Sequence, residues 1–343
     1  MRKCSFGIIS LSFCLLLTAC TGGMSNDDNP NSLTSSNPIQ ENIVDSRNHI
    51  ISINQPINRI VTTDSLSTDI CLALGLKDTL VAIESVGDDE CFYKMIDSKL
   101  CKLPRISLKA GIDIDKIESL NSQLVLLPSY MLDQVQYLEE KKINTYVYDV
   151  RTFDDLSTVI NHIAALTDKK DQAQSLLTYY SMQKERIRKF EKTNSTVYFP
   201  SPDHYMYSNT KDMFISKVIV EAGGVPVNVT SETNDYQKLS DEQLVELNPD
   251  YIMIPADAAY SKMDLVNNPS LQNINAIKNN KVFKMPDQFE KWQEPVPSSI
   301  LGMMWISSIL HSDQYPFEDL QKEVILFYQT FYGFTPNKSD ITF

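Results

Sequence analysis

The chain has 343 residues, of which 42% are hydrophobic and 22% are charged. At roughly 100 to 200 residues per domain, this predicts about two globular domains and excludes both a disordered tail and a disulfide-stapled miniprotein. The 31 basic and 44 acidic residues give a net charge of -13, which excludes the basic surface that nucleic-acid binding requires.

The first twenty residues have the pattern of a bacterial lipoprotein signal. Two basic residues follow the initial Met, and residues 6–17 form an apolar run that is too short to span a membrane. The run ends in the letters LTAC, and small residues directly before a cysteine resemble the lipobox, where cleavage leaves a lipidated cysteine. We therefore predict a signal peptide over residues 1–19 and a lipid on Cys20, at a periplasmic or cell-surface membrane.

A polar segment follows the predicted anchor. Residues 20–45 consist largely of Gly, Ser, Asn, Asp, Thr and Pro, with few apolar side chains to bury. Such a composition is typical of a flexible tether. A lipid anchor and a tether together predict a folded body that works at a membrane face outside the cytoplasm.

The cysteines of the folded part leave one alternative open. Cys71 lies in the apolar letters ICLAL and is predicted to be a core residue. Cys91 and Cys101 lie in a polar, turn-rich stretch of an exported protein, where a disulfide and two free thiols are both open readings. No Cys or His spacing in the sequence indicates a zinc site.

Strand-like and helix-like patterns alternate along the first part of the folded chain. Short β-rich runs predict strands over residues 59–63, 80–84, 124–127 and 145–150. Helical spacing of apolar residues predicts helices over residues 68–74, 113–120 and 135–141. This alternation favours a parallel sheet with helices on both faces.

A second α/β series follows two long helical patterns. The first of these, residues 154–166, opens at the cap Asp154-Asp155, and the second, residues 169–191, predicts a rod on the order of 30 Å. Beyond them, strands are predicted over residues 196–199, 251–254 and 281–285, and helices over residues 213–222 and 242–247. The predicted organisation is an N-terminal lobe over 46–153, linker helices over 154–192 and a C-terminal lobe over 193–343.

The two lobes resemble each other in sequence. At an offset of 127, IDKIESLNSQLVLLP (114–128) aligns with DEQLVELNPDYIMIP (241–255), and Asp115 falls on Glu242. Any two helix-strand units look somewhat alike, so this match alone has a trivial explanation. The additional match between ICLALG and VIVEAG favours a true two-lobe repeat.

In order and spacing, these segments resemble the substrate-binding proteins of ABC importers for ferric siderophores, haem or vitamin B12. The matching segments are RIVTTDSLSTDICLALGL, GIDIDKIESLNSQLVLLP, SKVIVEAGGVPVN, LSDEQLVELNPDYIMIP and EKWQEPVPSSILGMMWISSILH. The resemblance implies an α/β fold of two Rossmann-like lobes with parallel sheets, joined by one long helix, with the ligand cleft between the lobes. It also implies a monomeric binding protein and not an enzyme, without a cofactor, whose partners are a metal chelate and an ABC permease dimer with its ATPase.

Candidate ligand-binding residues follow from the expected sheets, because ligands of parallel α/β sheets lie beyond the carboxyl ends of the strands. In the first lobe this rule selects Asp64, Ser65, Glu84, Lys109 and Tyr130. In the second lobe it selects His204, Tyr205, Tyr207, Tyr260 and Trp292. The rings suit a flat, partly apolar ligand, and the His or Tyr side chains are possible axial ligands of haem iron. The competing interpretation is that these are ordinary surface-loop residues.

Positive charge is sparse near these loops. The basic residues close to them in sequence are Arg105, Lys109, Arg151 and Lys211. Multiply anionic siderophores are usually held by clustered arginines. The sequence therefore favours a corrinoid, haem or a neutral chelate.

Two acidic residues are candidates for contact with the permease. In the vitamin B12 relative, an acidic residue on each lobe docks on arginines of the permease, and the matching positions here are Asp115 and Glu242. A carboxylate in the first turn of a helix is also favourable on its own, through the helix dipole. Their recurrence at the same place in both lobes favours the docking interpretation.

Other classes of function have less support. The sequence contains no G-x-S-x-G or H-E-x-x-H motif, which makes an exported hydrolase the weaker alternative. A surface lipoprotein that carries or receives a ligand without a permease remains a second alternative.

Overall fold

The computed structural model of the protein describes residues 41–85, 90–108, 111–191, 193–227 and 236–343. The predicted signal peptide, the lipidation site Cys20, most of the tether and Lys109 lie outside these residues. So does the side chain of Cys91, and both alternatives for Cys91 and Cys101, a disulfide and two free thiols, therefore stay open. Cys71 is fully buried, as predicted. Within the described part, no helix is long and apolar enough to cross a membrane.

The folded body begins earlier than the tether prediction allowed. β1 (Glu41–Val44) and β2 (Ile50–Ile53) form an antiparallel hairpin. The side chains of Ile43 and Ile51 on its inner face are buried. The hairpin is thus part of the first lobe, and the predicted boundary at residue 45 is too late.

The first lobe is built on a four-stranded parallel sheet. Its elements are β3 (Ile60–Thr62), α1 (Ser65–Ala73), β4 (Leu80–Ala82), α2 (Glu90–Ile96), β5 (Ser107–Leu108), β6 (Gly111–Ile112), α3 (Ile114–Ser119), β7 (Leu124–Pro128), α4 (Leu132–Glu140) and β8 (Asn144–Tyr148). The sheet order is β4-β3-β7-β8. The four strands and three helices predicted from periodicity are all present, with ends shifted by a few residues.

Two helices connect the lobes, α5 (Phe153–Thr167) and α6 (Lys170–Ile187). The predicted Asp154-Asp155 cap is wrong, because Thr152 is the N-cap and its hydroxyl accepts a hydrogen bond from the Asp155 amide at 3.2 Å. The two aspartates lie in the first turn instead, where they favour the helix dipole. The 18 residues of α6 form a rod about 27 Å long.

The second lobe has the same sheet plan. Its elements are β9 (Thr196–Tyr198), β10 (Tyr207–Ser208), α7 (Phe214–Glu221), β11 (Val225–Pro226), β12 (Gln237–Lys238), α8 (Asp241–Leu247), β13 (Tyr251–Ile254), α9 (Lys262–Val266), α10 (Asn275–Lys278), β14 (Val282–Lys284), α11 (Ser299–Leu310) and α12 (Phe317–Phe331). The strands of its parallel sheet are ordered β11-β9-β13-β14.

The backbone carries the repeat that the sequence predicts. The order β4-β3-β7-β8 in the first sheet corresponds strand by strand to β11-β9-β13-β14 in the second. The aligned residues Asn121 and Asn248, which follow α3 and α8, both adopt left-handed backbone conformations, with φ of 50° and 42°. Gly75 and Gly223, after α1 and α7, do the same, with φ of 71° and 93°. The two lobes therefore share helix endings as well as strand order.

An aromatic cluster joins the lobes behind the sheets. Phe92 of α2 lies 6.1 Å from Tyr328 of α12 and 5.4 Å from Tyr332, measured between ring centroids. On the connecting rod, Tyr179 packs on Phe327 at 5.5 Å. Helix α12 thus contacts the first lobe and the rod at once, an arrangement that the sequence analysis did not predict.

Candidate functional site

A cleft of about 320 Å³ opens between the lobes at the carboxyl ends of β3, β7 and β8. The first lobe lines it with Asp64, Ser65, Leu66, Pro128, Ser129, Tyr130, Tyr148, Asp149 and Val150. The second lobe lines it with Lys291, Glu294, Pro295 and Val296. Of the predicted ligand-binding residues, the structure places Asp64, Ser65 and Tyr130 in this lining.

Asp64 is fixed in place by its neighbours. It is the N-cap of α1, and its Oδ1 accepts hydrogen bonds from the Ser67 amide at 3.0 Å and from the Ser67 hydroxyl at 2.7 Å. The Tyr148 hydroxyl donates to the same oxygen. Burial raises the pKa of Asp64, and these hydrogen bonds offset part of the rise. The cleft thus has a preorganised carboxyl group on its first-lobe wall.

Tyr130 forms the aromatic lip of the cleft. It lies in the turn that follows β7, and 72% of its surface is exposed to solvent. The protein around the phenol group and the carboxyl groups of Asp64 and Glu84 raise the pKa of Tyr130 to about 12. Its hydroxyl is therefore neutral near physiological pH and acts as a hydrogen-bond donor.

The second-lobe wall is polar. Lys291 Nζ lies 2.9 Å from Asp257 Oδ2, and Gln293 Nε2 donates to Asp257 Oδ1 at 2.9 Å. Burial and the charge of Asp257 raise the pKa of Glu294, while Lys291 lowers it. Neither Lys291 nor Glu294 was predicted to bind ligand, although the charged letters EKWQEP around Trp292 were a usable signal.

Trp292, predicted to contact the ligand, does not line this cleft. Its side chain is fully buried, its Nε1 donates to the Tyr328 hydroxyl at 2.9 Å, and its ring stacks on Phe289 at 5.8 Å. The reason is close packing of α11, since a Cβ on Gly302 would meet the Trp292 carbonyl oxygen at 2.5 Å. Trp292 is a core residue.

Glu84 lies behind the cleft and not in its lining. Its carboxyl group is buried and accepts hydrogen bonds from the Tyr93 hydroxyl at 2.6 Å and from the Thr68 hydroxyl. Burial raises the pKa of Glu84, and the charge of Asp64 adds to the rise. Glu84 therefore supports the cleft wall without contacting a ligand there.

The aromatic residues predicted for the second lobe form a separate cluster. His204 stacks on Tyr205 at 4.6 Å, and Tyr205 meets Tyr260 edge-on at 5.6 Å. The Tyr260 hydroxyl donates to the Ser201 carbonyl at 2.9 Å, and Tyr207 lies 6.4 Å from His204. These four residues are not among the cleft-lining residues named above. Their contact with a ligand stays a prediction.

The two predicted docking residues occupy matching places on the surface. Asp115 lies in the first turn of α3 with 92% of its side chain exposed, and Lys141 Nζ is 3.9 Å away. Glu242 lies exposed in the first turn of α8, where hydrogen bonding from Ser240 lowers its pKa. Both carboxylates are thus open to solvent. Among the described residues, no group of three or more His, Cys, Asp or Glu is arranged to hold a metal ion.

Comparisons with known proteins agree with this architecture. The molybdate-binding protein MolA of Haemophilus influenzae is 24% identical over 320 residues, which cover 84% of this chain and 90% of the relative. A vitamin B12-binding protein of Vibrio vulnificus is 22% identical over 257 residues, covering 72% of this chain and 88% of the relative. The solved periplasmic solute binding protein from Veillonella parvula superposes with a TM-score of 0.75 at 20% identity, covering 88% of this chain and 95% of that one.

The family match spans most of the folded chain. Residues 60–289 match the periplasmic binding protein family. This range begins at β3 in the first lobe, includes the connecting rod and ends beyond β14 in the second lobe. The chain therefore belongs to the periplasmic binding protein family, whose members are the substrate-binding components of ABC transporters.

Proposed function

We propose that this protein is an exported lipoprotein that binds a metal chelate in the cleft between its lobes and delivers the chelate to the permease of an ABC importer. The observation that carries the proposal is the cleft itself. It lies at the carboxyl ends of three parallel strands, is closed by the second lobe, and its volume of about 320 Å³ is within the range of small-molecule sites. The candidate ligands are a ferric siderophore, haem and cobalamin.

The chemistry of the cleft suits a flat, preformed complex. The pKa of Tyr130 is raised to about 12, so its phenol group is neutral near physiological pH. A neutral phenol donates a hydrogen bond and offers its ring face to a flat ligand. The vitamin B12-binding relative, by its name, binds such a complex.

Delivery rests on features at two places in the chain. The letters LTAC before and at Cys20, together with the polar segment that follows, support a lipid anchor with a tether. The exposed carboxylates of Asp115 and Glu242, at matching positions of the two lobes, support docking on basic residues of the permease.

Replacing Tyr130 with alanine tests the assigned ligand site. Haem, cyanocobalamin and ferrioxamine are titrated first, and the complex that binds is used for the comparison. We expect the affinity of the variant for that complex to be lower by about tenfold or more, because a desolvated aromatic contact is worth on the order of 1–2 kcal/mol. Calorimetric titration measures the affinity. The thermal midpoint is expected to stay unchanged, since the ring is 72% exposed.

Tyr137 provides the matched control. It is also an exposed tyrosine of the first lobe, with 55% of its surface open, but it lies on α4 outside the cleft. Tyr137→Ala is expected to bind like the wild type. Equal loss of affinity in both variants, or in neither, would contradict the assignment of the cleft as the ligand site.

A further inference from the structure

The walls of the cleft carry an excess of negative charge. Among the lining residues that the structure describes, three are carboxylates, Asp64, Asp149 and Glu294. Lys291 is the one basic side chain in the same lining. Asp64 belongs to the first lobe and Glu294 to the second, so a ligand in the cleft has a carboxyl group on each side.

Lys291 in the lining and Arg151, which follows the lining residue Val150 in the chain, are each paired with a carboxylate. Lys291 Nζ lies 2.9 Å from Asp257 Oδ2, and Arg151 Nη2 lies 2.9 Å from Asp149 Oδ2. Counting Asp257 and Arg151 together with the lining leaves two carboxylates in excess, those of Asp64 and Glu294. Neither of these forms an ion pair within 4 Å among the described residues.

We propose that the cleft receives a neutral or singly cationic metal complex, whose positive or hydrogen-bond-donating edge lies between Asp64 and Glu294, and that it rejects free oxyanions and multiply anionic chelates. This inference rests on the proposed function and specifies its ligand class. A like charge placed next to an uncompensated carboxylate in a narrow, partly desolvated cleft is repelled far more strongly than in water. The cleft can therefore discriminate between ligands by the sign of their charge without an additional binding group.

The charge of the ligand and the protonation of the two acids are coupled. The pKa values of Asp64 and Glu294 are both raised, with burial as the leading cause, so each acid more readily takes up a proton than a free carboxyl group does. A cationic ligand edge between them supplies the missing countercharge and favours their ionised forms. An anionic ligand has the opposite effect on both.

Matched ligand pairs isolate charge from shape. Aquacobalamin is a cation and cyanocobalamin is neutral on the same corrin, and ferrioxamine B is a cation whose N-acetyl derivative is neutral. Molybdate and a ferric tricatecholate serve as the anionic probes. We expect one of the two pairs to bind. At low ionic strength and near neutral pH, the affinity for the cationic member of that pair should exceed the affinity for the neutral member by about fivefold or more. The two anionic probes should show no measurable binding.

Two variants test the named carboxylates. In Asp64→Asn and in Glu294→Gln, the preference for the cationic member is expected to shrink by about fivefold while the neutral member still binds. Asn is as good an N-cap as Asp, so Asp64→Asn preserves the start of α1. The control Asp171→Asn removes an exposed carboxylate of α6 that lies outside the cleft lining, and is expected to bind like the wild type.

The outcomes separate this inference from the function on which it rests. If the ferric tricatecholate binds as tightly as the neutral complexes, the charge inference is overturned while chelate binding stands. Equal affinities within the bound pair, or an unchanged preference in both variants, overturn the role of Asp64 and Glu294. Binding of haem alone overturns the charge inference, because haem carries two anionic propionates, while chelate binding stands. Binding of molybdate alone, or of neither haem nor any of these probes, overturns the proposed function together with the inference.

Discussion

Reversing the charges of Asp115 and Glu242 together, as Asp115→Arg and Glu242→Arg, is expected to abolish ligand uptake by cells while leaving the ligand affinity of the purified protein unchanged. Both carboxylates are exposed in the first turn of a helix, at positions that the internal repeat superposes. Neither lines the cleft. An arginine at each place turns attraction to a basic permease surface into repulsion, so docking is lost and binding is kept.

The measurement is uptake of the labelled ligand beside a titration of the pure protein. The control is the pair Asp171→Arg and Glu318→Arg, which also reverses two exposed first-turn carboxylates, on α6 and α12. This control changes the net charge by the same amount as the Asp115/Glu242 variant and also places an arginine in the first turn of two helices. Cells that produce the control are expected to take up ligand normally. Unchanged uptake in the Asp115/Glu242 variant would remove the docking assignment and favour a carrier that works without a permease.

The two docking positions are not expected to contribute equally. Lys141 Nζ lies 3.9 Å from Asp115 and 2.7 Å from Glu118, so a positive charge offsets part of the negative surface on the first lobe. No such pair is formed by Glu242 among the described residues. The single reversal at Glu242 should therefore reduce uptake more than the reversal at Asp115.

Between about pH 5 and about pH 8, the free energy of unfolding is expected to fall by about 3 kcal/mol more in the wild type than in Glu290→Gln. Glu290 is buried where the lobes meet, and burial raises its pKa from 4.5 to about 7, although the Tyr328 hydroxyl donates a hydrogen bond to it. The folded state therefore holds a proton that the unfolded state has released. Stability from this carboxyl is complete below about pH 4.5 and is lost as the pH rises through about 7.

Chemical unfolding at a series of pH values measures this difference. The glutamine side chain keeps the shape and still accepts the hydrogen bond that Tyr328 donates to Glu290 Oε2 at 2.6 Å. Glu318→Gln, which removes an exposed carboxylate of the same helix as Tyr328, is the control and should retain the wild-type pH dependence. Identical pH profiles for the wild type and Glu290→Gln would show that Glu290 is ionised in the folded protein.

Local patterns were sufficient to predict the strands of the first sheet, three of the four strands of the second sheet, the rod and part of the site. Strand β11 was not predicted, because its two residues, Val225–Pro226, are too few to form a pattern. The strands of both lobes are short apolar runs between helical patterns, and their carboxyl ends follow directly from chain direction. For this reason Asp64, Ser65 and Tyr130 could be placed at the cleft before the fold was known.

The errors concern residues whose surroundings come from distant parts of the chain. Trp292 has charged neighbours in sequence and therefore looks exposed, but Gly302 allows α11 to approach its backbone and Tyr328 accepts its N–H. Tyr148 belongs to a buried strand and looks like a core residue in the sequence. Its hydroxyl lines the cleft wall because it donates a hydrogen bond to Asp64, which follows β3. Neither contact can be predicted from the local periodicity of the sequence.

The absorption spectrum of the folded body, expressed without Cys20 in its native host and purified from that extract, tests the central claim most directly. We predict a bound chromophore: corrin bands for a cobalamin, a ferric charge-transfer band for a hydroxamate siderophore, or a Soret band for haem. Stoichiometry near one per chain is expected, since one cleft is proposed to bind it. A colourless protein that binds none of these three complexes on titration would contradict the assignment of this protein as a metal-chelate carrier.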